Sequence, residues 1–340
     1  MSELAERGRK TPGQARAASP AIMEEFGRLG YGAASLGNLF HEVSEDEAFA
    51  TVEAAWDGGI RYFDTAPHYG LGLSERRLGA ALARYPREDY LLSTKVGRLL
   101  EPTPENAERL DDQRFVVPAA YRRVWDASPA GIRRSLADSL ARIGTDRIDI
   151  AYLHDPDEYD PENGVARGVA ALAEARTEGL VRAIGVGSKS VAALAEAVRT
   201  GLCDLIMVAG RLTLLDRSGA ELLDLCAEHR VGIVNVGVFN SGALAADRPS
   251  PELHFEYAPI TPERLAELER LHEVCARFGV TVADAALQYS WQLPQVVSVT
   301  VGASSPRQIR RSIAGMATDI DPGLWPALAA LPTPSPTSTC

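Results

Sequence analysis

The sequence predicts an α/β fold, a (β/α)8 TIM barrel built by a single chain of 340 residues. Eight short apolar segments of strand character alternate with amphipathic segments of helical period, which is the repeat of such a barrel. A chain of this length with 46% apolar residues can bury one large core. An open doubly wound sheet would show a Gly-x-Gly-x-x-Gly turn after its first strand, and residues 29–35 contain only part of it. The barrel is therefore favoured over the open sheet.

Each predicted strand is followed by a predicted helix. The strands are expected near residues 28–33, 60–63, 90–94, 148–153, 181–186, 204–208, 232–236 and 296–300. The helices are expected near residues 45–57, 73–83, 129–142, 165–178, 190–199, 217–229, 262–277 and 305–315. Helix-capping signals support these boundaries: a capping box at Ser44–Glu47, cap-proline pairs at Ser128-Pro129 and Thr261-Pro262, and terminating glycines at Gly58-Gly59 and Gly144.

Two connections of the predicted barrel are long, about residues 96–127 after the third strand and 237–261 after the seventh. Both leave the carboxyl ends of their strands, where the active sites of such barrels lie. The barrel domain is expected to span residues 21–330 as one unit. Residues 1–20 and 331–340 are small, polar or proline-rich, and we expect flexible tails there.

Composition excludes several classes of protein. A net charge of −11 argues against a nucleic-acid binder, which needs a basic face to neutralise phosphates. No apolar run approaches the roughly 18 residues that would cross a membrane, and the first twenty residues lack the apolar core of a secretory signal. The cysteines have neither CxxC spacing nor the density of a disulfide scaffold, and three of the four are expected as small buried residues. We therefore expect a cytoplasmic protein whose partner is a small molecule.

Polar residues end three successive predicted strands. Asp64 ends the second, Lys95 the third and His154 the fourth, while Tyr69 lies in the loop after the second. Because the carboxyl ends of barrel strands meet at one rim, the four side chains are expected to lie together.

These four residue types suit proton transfer by a phenol. The pKa of a tyrosine, near 10, is too high for efficient exchange at neutral pH, and a neighbouring ammonium lowers it. A carboxylate such as Asp64 can hold that ammonium in place, and a neutral imidazole can donate a hydrogen bond to the substrate oxygen. The set fits carbonyl reduction or alcohol oxidation with a nicotinamide cofactor.

Each of the four residues also has a structural interpretation. Asp64 could cap a turn, Lys95 could be solvated, His154 could begin a turn, and Tyr69 could be a half-buried aromatic at the barrel lip. Their coincidence at one rim favours the catalytic interpretation. The neighbouring His68 is expected to be an exposed loop residue. A metal site is the rival interpretation, but the six histidines form no closely spaced pair and Lys95 would repel a cation, so we expect no metal.

The segments at these strand ends resemble the aldo-keto reductase superfamily, over about residues 27–315. Asp64–Gly70, Ser93-Thr94-Lys95 and Leu153-His154 are similar to that family's three catalytic segments. The resemblance implies that Tyr69 is the general acid/base and Lys95 its pKa-lowering partner. By the same match, Asp64 anchors the lysine and His154 orients the substrate.

Further motifs resemble the branch of D-threo-aldose (L-fucose) 1-dehydrogenases, to which pyridoxal 4-dehydrogenases and L-galactose dehydrogenases are related. They are Leu36–Phe40, Gly70–Glu75, Lys95–Arg98, His154–Asp157 and Val238–Gly242. This branch oxidises a lactol or aldehyde carbon, so the resemblance implies oxidation of the anomeric carbon of an aldose to a lactone. A broad aldehyde or ketone reductase, a pyridoxal 4-dehydrogenase and a non-catalytic cofactor-binding subunit remain as alternatives.

The resemblance also implies a dinucleotide site. The loop after the seventh strand would lie against the pyrophosphate, and the loop after the eighth against the adenosine ribose. The expected cofactor-binding residues are Ser188, Leu212, Gly237, Phe239, Asn240, Ser241, Gly242, Leu244, Gly302, Ser304 and Gln308. Serines stand at 304 and 305, where a basic residue is usual for a 2′-phosphate, so NAD is favoured while NADP remains possible.

Two positions depart from the family pattern. Lys189 follows Ser188 where an asparagine would bind the nicotinamide amide, and Leu212 stands where a tyrosine would stack on the ring. Leu212 is expected to pack against the ring without aromatic geometry. The sequence leaves open the exact substrate, the direction of the reaction in the cell and the oligomeric state.

Overall fold

Eight parallel strands form a closed barrel, as the alternating pattern predicted. The computed structural model describes residues 21–256 and 258–332. The barrel strands are β1 (Leu29–Gly32), β2 (Tyr62–Asp64), β3 (Leu91–Val96), β6 (Ile150–His154), β7 (Ala183–Ser188), β8 (Leu205–Ala209), β9 (Gly232–Val236) and β12 (Val296–Gly302). Each pairs with its neighbour in parallel, and β12 pairs with β1 to close the ring.

Helices alternate with the barrel strands. They are α1 (Glu45–Asp57), α2 (Leu73–Leu82), α3 (Pro129–Ile143), α4 (Gly164–Thr177), α5 (Val191–Arg199), α6 (Glu221–His229), α7 (Pro262–Arg277), α8 (Val282–Gln292), α9 (Pro306–Ala317) and α10 (Leu324–Ala329). The predicted caps form: the side-chain oxygens of Ser44, Ser128 and Thr261 accept from backbone amides three residues on. Gly144 ends α3 with φ of 75°, the left-handed conformation that glycine adopts without strain.

Helices α8 and α10 and two antiparallel hairpins were not predicted. Helix α8 lies between α7 and β12 and packs against β12, so α8 covers the last strand and α7 packs outside it with α10. The long connection after β3 contains an antiparallel hairpin, β4 (Arg98–Pro102) with β5 (Tyr121–Trp125). The connection after β9 contains a second, β10 (His254–Phe255) with β11 (Ala258–Pro259).

The core has two main layers. Tyr62, Tyr152, Leu205 and Met207 fill the barrel together with other buried side chains of its strands. A larger cluster packs the outer faces of the strands against the helices. Cys203, Cys226 and Cys275 are buried free thiols, as expected. These packed layers make the barrel rim a rigid frame for the site.

The two predicted tails fall largely outside the described residues, which begin at 21 and end at 332. Leu331, at the start of the predicted C-terminal tail, packs against the cluster that α7, α8 and α10 form. Across residues 21–256 and 258–332, no helix combines the length and apolar character needed to cross a membrane.

Candidate active site

Three neighbouring strands bring the predicted polar residues to one rim of the barrel. Asp64 ends β2, Lys95 lies near the end of β3, and His154 ends β6. Strand β3 pairs with both of the others, so Lys95 stands between Asp64 and His154. All three side chains are buried.

Asp64 and Lys95 form a buried ion pair. Lys95 Nζ donates to Asp64 Oδ2 at 2.5 Å and to the carbonyl of Thr65 at 3.2 Å. The other carboxylate oxygen of Asp64 accepts from Ser93 Oγ at 2.7 Å, and Ser93 Oγ lies 2.9 Å from Tyr62 OH. Burial would lower the pKa of Lys95, but the Asp64 carboxylate and Tyr69 hold it above its usual value. Lys95 therefore stays charged at neutral pH.

Tyr69 lies over this pair. Lys95 Nζ is 4.8 Å from the centre of the Tyr69 ring. Burial raises the pKa of the Tyr69 phenol, while the Lys95 ammonium acts in the opposite direction and lowers it. The expected effect of the lysine is present, but burial outweighs it, so the phenol is protonated at neutral pH.

A close backbone approach positions Tyr69. Gly37 packs directly against the Tyr69–Gly70 peptide, where an added Cβ would lie 2.7 Å from the Tyr69 carbonyl carbon. Gly70 has φ of 60° and meets Gly37 from the other side. Since neither position has room for a side chain, the two glycines fix the path of the chain beneath Tyr69.

His154 faces Tyr69 edge to face, with ring centroids 5.8 Å apart. Burial holds the pKa of His154 well below its usual value, and the charges of Arg98 and Lys95 lower it further. The imidazole is therefore neutral. Its Nδ1 has no hydrogen-bond partner in the described part of the chain, and its Nε2 lies 3.4 Å from Asp155 Oδ2.

The prediction that His68 is an exposed loop residue is wrong. Its ring packs edge-on against Phe115 at 5.3 Å and His154 at 5.4 Å between centroids, and it lines the cavity below. Burial, with Arg98, lowers the pKa of His68 to about 2. Phe115 comes from the long connection after β3, so His68 owes its burial to a residue remote in sequence.

A cavity of about 430 Å³ opens above these residues. Asp64, Tyr69, Lys95 and His154 all line it. A charged wall that the sequence analysis did not assign to the site consists of Arg98, Asp155 and Glu158: Arg98 Nη2 lies 2.6 Å from Asp155 Oδ2 and 2.9 Å from Glu158 Oε2. The sequence contained a signal for this wall, because Arg98 lies three residues after Lys95 and Asp155 directly follows His154.

A second cavity of about 430 Å³ adjoins the first, and the two share the lining residues Leu39, Gly237, Thr300 and Gly302. Its wall includes the loop after β9, in which Gly237, Asn240, Ser241 and Gly242 have φ between 45° and 96°. The Oδ1 atom of Asn240 is buried at this wall without a hydrogen-bond partner among the described residues. A long cleft with a glycine-rich turn and a buried amide oxygen fits the size and polarity of a dinucleotide.

Most of the predicted cofactor-binding residues line this pair of cavities. Those that do are Ser188, Gly237, Phe239, Asn240, Ser241, Gly242, Gly302 and Gln308. Three differ from expectation. Leu212 is 2% exposed in the cluster between the strands and the helices, Leu244 is fully buried in the cluster that α7, α8 and α10 form, and neither lines these two cavities. Ser304 also lies outside the lining, because its backbone amide and hydroxyl both donate to Gln308 Oε1.

Lys189, where an asparagine was expected, lines the first cavity and forms an ion pair of 2.9 Å with Glu256. Glu256 follows β10 and also lies 3.4 Å from Arg211. This bridge joins the loop after β7 to the second hairpin at the cavity mouth. Within the described ranges, no group of three His, Cys, Asp or Glu side chains could hold a metal ion.

Comparisons with known proteins agree on one family. The model of the aldo/keto reductase family matches residues 28–331. A D-threo-aldose 1-dehydrogenase from a Pseudomonas species is 50% identical, over 90% of this chain and 95% of that protein. A pyridoxal 4-dehydrogenase from Microbacterium luteolum is 38% identical, over 88% of this chain and 92% of that protein. The solved holo form of an aldo-keto reductase from Bacillus halodurans aligns with a TM-score of 0.71 and 28% identity, over 92% and 94% of the two chains.

Proposed function

This chain belongs to the aldo/keto reductase family, and from that premise we propose that it is an NAD-dependent aldose 1-dehydrogenase, which oxidises the anomeric carbon of an aldose to a lactone. The chain is an oxidoreductase of aldo/keto reductase type, and the family uses NAD(H) or NADP(H). The observation that carries the proposal is the charged wall of the first cavity, which adjoins Tyr69 and His154. Charged side chains bind sugar hydroxyls well and apolar aldehydes poorly.

Tyr69 is the proposed base in this direction. The nicotinamide, when bound, supplies the acceptor for the hydride that leaves the anomeric carbon. As that C–H bond breaks, the hydroxyl proton of the lactol moves to the phenolate oxygen of Tyr69, and the C–O bond becomes the carbonyl of the lactone. Lys95 favours the phenolate because its charge lies close to the ring. One lactol therefore gives one lactone, one hydride that goes to the nicotinamide and one proton that goes to Tyr69.

His154 is proposed to orient the substrate. A neutral imidazole can donate from Nε2 to the oxygen on the reacting carbon, and burial keeps His154 neutral. Asp64 holds Lys95 charged and in place through the 2.5 Å bond.

NAD is proposed over NADP because of the loop after β12. Ser304 binds Gln308, and Arg311, which lines the second cavity, is bound to Asp247 at 2.8 Å. A 2′-phosphate would have to compete with the Asp247 carboxylate for that guanidinium. We also propose a cytoplasmic location and a small-molecule substrate.

Oxidation of pyridoxal is the second candidate, favoured by the 38% identity to a pyridoxal 4-dehydrogenase. It would use the same four residues, since pyridoxal also has a cyclic hemiacetal carbon. The charged wall favours a substrate with several hydroxyl groups over an aromatic ring.

The experiment is an assay of NADH formation at 340 nm with L-fucose, D-arabinose, L-galactose and pyridoxal, followed by identification of the product by ¹³C NMR. The proposal expects NADH with the sugars and the carbonyl signal of a lactone. NADH with pyridoxal alone would select the second candidate. Reduction of simple aldehydes without any sugar oxidation would contradict both.

A further inference from the structure

Two of the sequence motifs, Lys95–Arg98 and His154–Asp157, contain a charged residue just after a proposed catalytic residue. The proposed mechanism gives no role to either charged residue. Arg98 follows Lys95 by three residues and begins β4, while Asp155 directly follows His154. Arg98 and Asp155 are 57 residues apart in the sequence, but their side chains form an ion pair in which Arg98 Nη2 lies 2.6 Å from Asp155 Oδ2. Both line the cavity that Tyr69 and His154 line.

Asp155 lies close to the reacting atoms. Its Oδ2 is 3.4 Å from His154 Nε2, the nitrogen proposed to donate to the oxygen on the reacting carbon. If His154 Nε2 donates to the oxygen on the reacting carbon, an acceptor 3.4 Å from that nitrogen comes within reach of a hydroxyl group on the adjacent carbon. In an aldose this is the 2-hydroxyl group.

The backbone holds Asp155 in an unusual conformation. Its φ is 44° and its ψ 58°, in the left-handed region that only a few per cent of non-glycine residues adopt, mostly asparagine, aspartate and histidine. The amide of Asp155 donates to the carbonyl of Gly187 at 2.9 Å, which fixes this turn against β7. A strained backbone that aims a side chain into a cavity is a common feature of binding sites.

Asp155 shares its charged partner with a second carboxylate. Arg98 and the exposed Glu158 contact each other at 2.9 Å, so the guanidinium serves two carboxylates. Burial raises the pKa of Asp155 to about 7; Arg98 and Lys95 oppose this, while Glu158 and Asp157 add to it. His154 and His68, which also face the cavity, are neutral. A half-buried carboxylate that faces a cavity gains from a hydroxyl donor and loses when an apolar group displaces water from it.

We propose that Asp155 is a specificity-determining residue that accepts a hydrogen bond from the hydroxyl group next to the reacting carbon, with Arg98 as the residue that positions it. The proposal rests on the proposed function and deepens it. The site then selects lactols with a 2-hydroxyl group and discriminates against their 2-deoxy counterparts. A site built to bind a hydroxyl rejects the analogue that lacks it far more strongly than an apolar pocket does, because its own polar group is left unpaired.

The test compares D-arabinose with 2-deoxy-D-ribose, which differ only by the hydroxyl at C2. The quantity measured is the ratio of kcat/KM for the two sugars with NAD. The wild-type ratio is expected to be at least about tenfold. Asp155→Asn, which tolerates the left-handed backbone and keeps a neutral acceptor, should lower the ratio. Asp155→Ala should bring it close to one, because no acceptor remains.

Glu162→Gln is the matched control, since Glu162 lies in the same loop after β6 but is exposed and lines neither cavity. It should keep the wild-type ratio. Arg98→Met should lower the ratio, and Arg98→Lys should restore part of it, which a general loss of structure would not do. Binding of NADH, followed by its fluorescence, shows that each variant is folded.

Three results would overturn the proposal, and only the last of them would also overturn the proposed function. A wild-type ratio near one means that the enzyme oxidises aldoses without reading the 2-hydroxyl group, so the proposed function stands. An unchanged ratio in both Asp155 variants assigns the discrimination to other residues. Failure of the wild type to oxidise any aldose removes the proposed function and this inference with it.

Discussion

Lys95 donates a 2.5 Å hydrogen bond to Asp64 from the adjoining strand, and both residues are 3% exposed. A buried ion pair is costly to form, because both ions lose their hydration, so it is weak evidence for stability alone. Here the pair holds a permanent positive charge 4.8 Å from the centre of the Tyr69 ring. Its role is therefore best tested through the proton chemistry of Tyr69.

Lys95→Met should shift the pH dependence of oxidation toward higher pH. Oxidation needs the phenolate, and the Lys95 charge lowers the pKa of Tyr69 against the larger effect of burial. Removing the charge raises that pKa, so the phenolate fraction at any given pH falls and the alkaline rise of kcat/KM comes later. The double variant Lys95→Met/Asp64→Asn removes the unpaired carboxylate that the single change leaves.

Lys189→Met is the control for this experiment. Lys189 also lines the first cavity, but its ammonium pairs with Glu256. Its removal should leave the pH profile in place. Equal shifts in the two variants would show that the profile reports the overall charge of the cavity and not the Lys95–Tyr69 contact.

Ser93→Ala should destabilise the protein more than it harms catalysis. The hydroxyl of Ser93 donates to Asp64 Oδ1 and contacts Tyr62 OH, so its loss leaves buried polar groups without a partner. The free energy of unfolding in urea should fall by about 1–3 kcal/mol. Lys95 still holds Asp64 through Oδ2, so kcat should fall less than about tenfold.

Ser135→Ala is the matched control, because the buried hydroxyl of Ser135 has no hydrogen-bond partner among the described residues. Its removal should be neutral or slightly stabilising. A loss of stability as large as that of Ser93→Ala would mean that the network below Asp64 contributes nothing specific.

Gly37→Ala should reduce turnover without touching a catalytic side chain. The new Cβ would lie 2.7 Å from the Tyr69 carbonyl carbon and 2.8 Å from the Gly70 nitrogen, so the Tyr69 segment must shift. A displacement of about 1 Å in a reacting group can cost about 100-fold in rate, so kcat should fall by about tenfold or more. Gly27→Ala, whose Cβ would meet nothing closer than 3.8 Å, should retain wild-type kcat.

Ser304→Arg should improve the use of NADP. The new guanidinium would replace the Ser304 hydroxyl, which now donates to Gln308 Oε1. It would supply a cation for the 2′-phosphate of NADP. We expect the ratio of kcat/KM for NADP over NAD to rise by about tenfold. Thr318→Arg, beyond the opposite end of α9, is the control and should leave the ratio unchanged. A wild-type preference for NADP would contradict the proposed cofactor before any variant is made.

The sequence predicted the barrel because each strand is a short apolar run that an amphipathic helical segment follows. Helix α8 was missed because the barrel repeat predicts one helix between β9 and β12, and α7 fills that place. A cap signal was nevertheless present, since Thr281 accepts from the backbone amide of Asp284 at the start of α8. The β4–β5 hairpin was missed because 18 residues separate its strands and no tight-turn signal joins them.

The residues at the strand ends could be predicted, because barrel topology alone brings neighbouring strand ends together. Residues whose place depends on distant contacts could not. His68 is covered by Phe115, and Arg98 reaches Asp155 across 57 residues. Leu212 lies 2% exposed in the cluster between the strands and the helices, two residues after Gly210, whose φ is 71°. Such contacts follow from loop geometry that no local pattern shows.

The most direct test of the account is sugar-dependent NADH formation by the wild type and by Tyr69→Phe, measured beside NADH binding by fluorescence. The change removes only the phenol oxygen, so we expect kcat to fall by about 100-fold to 10,000-fold while the dissociation constant of NADH stays within about twofold. Tyr159→Phe is the control. The Tyr159 ring stacks on Trp125 and lies 5.0 Å from the Arg98 guanidinium, and the change keeps that ring, so the variant should keep wild-type rates. A Tyr69→Phe enzyme that oxidises sugars at the wild-type rate would contradict the assignment of Tyr69 as the proton acceptor.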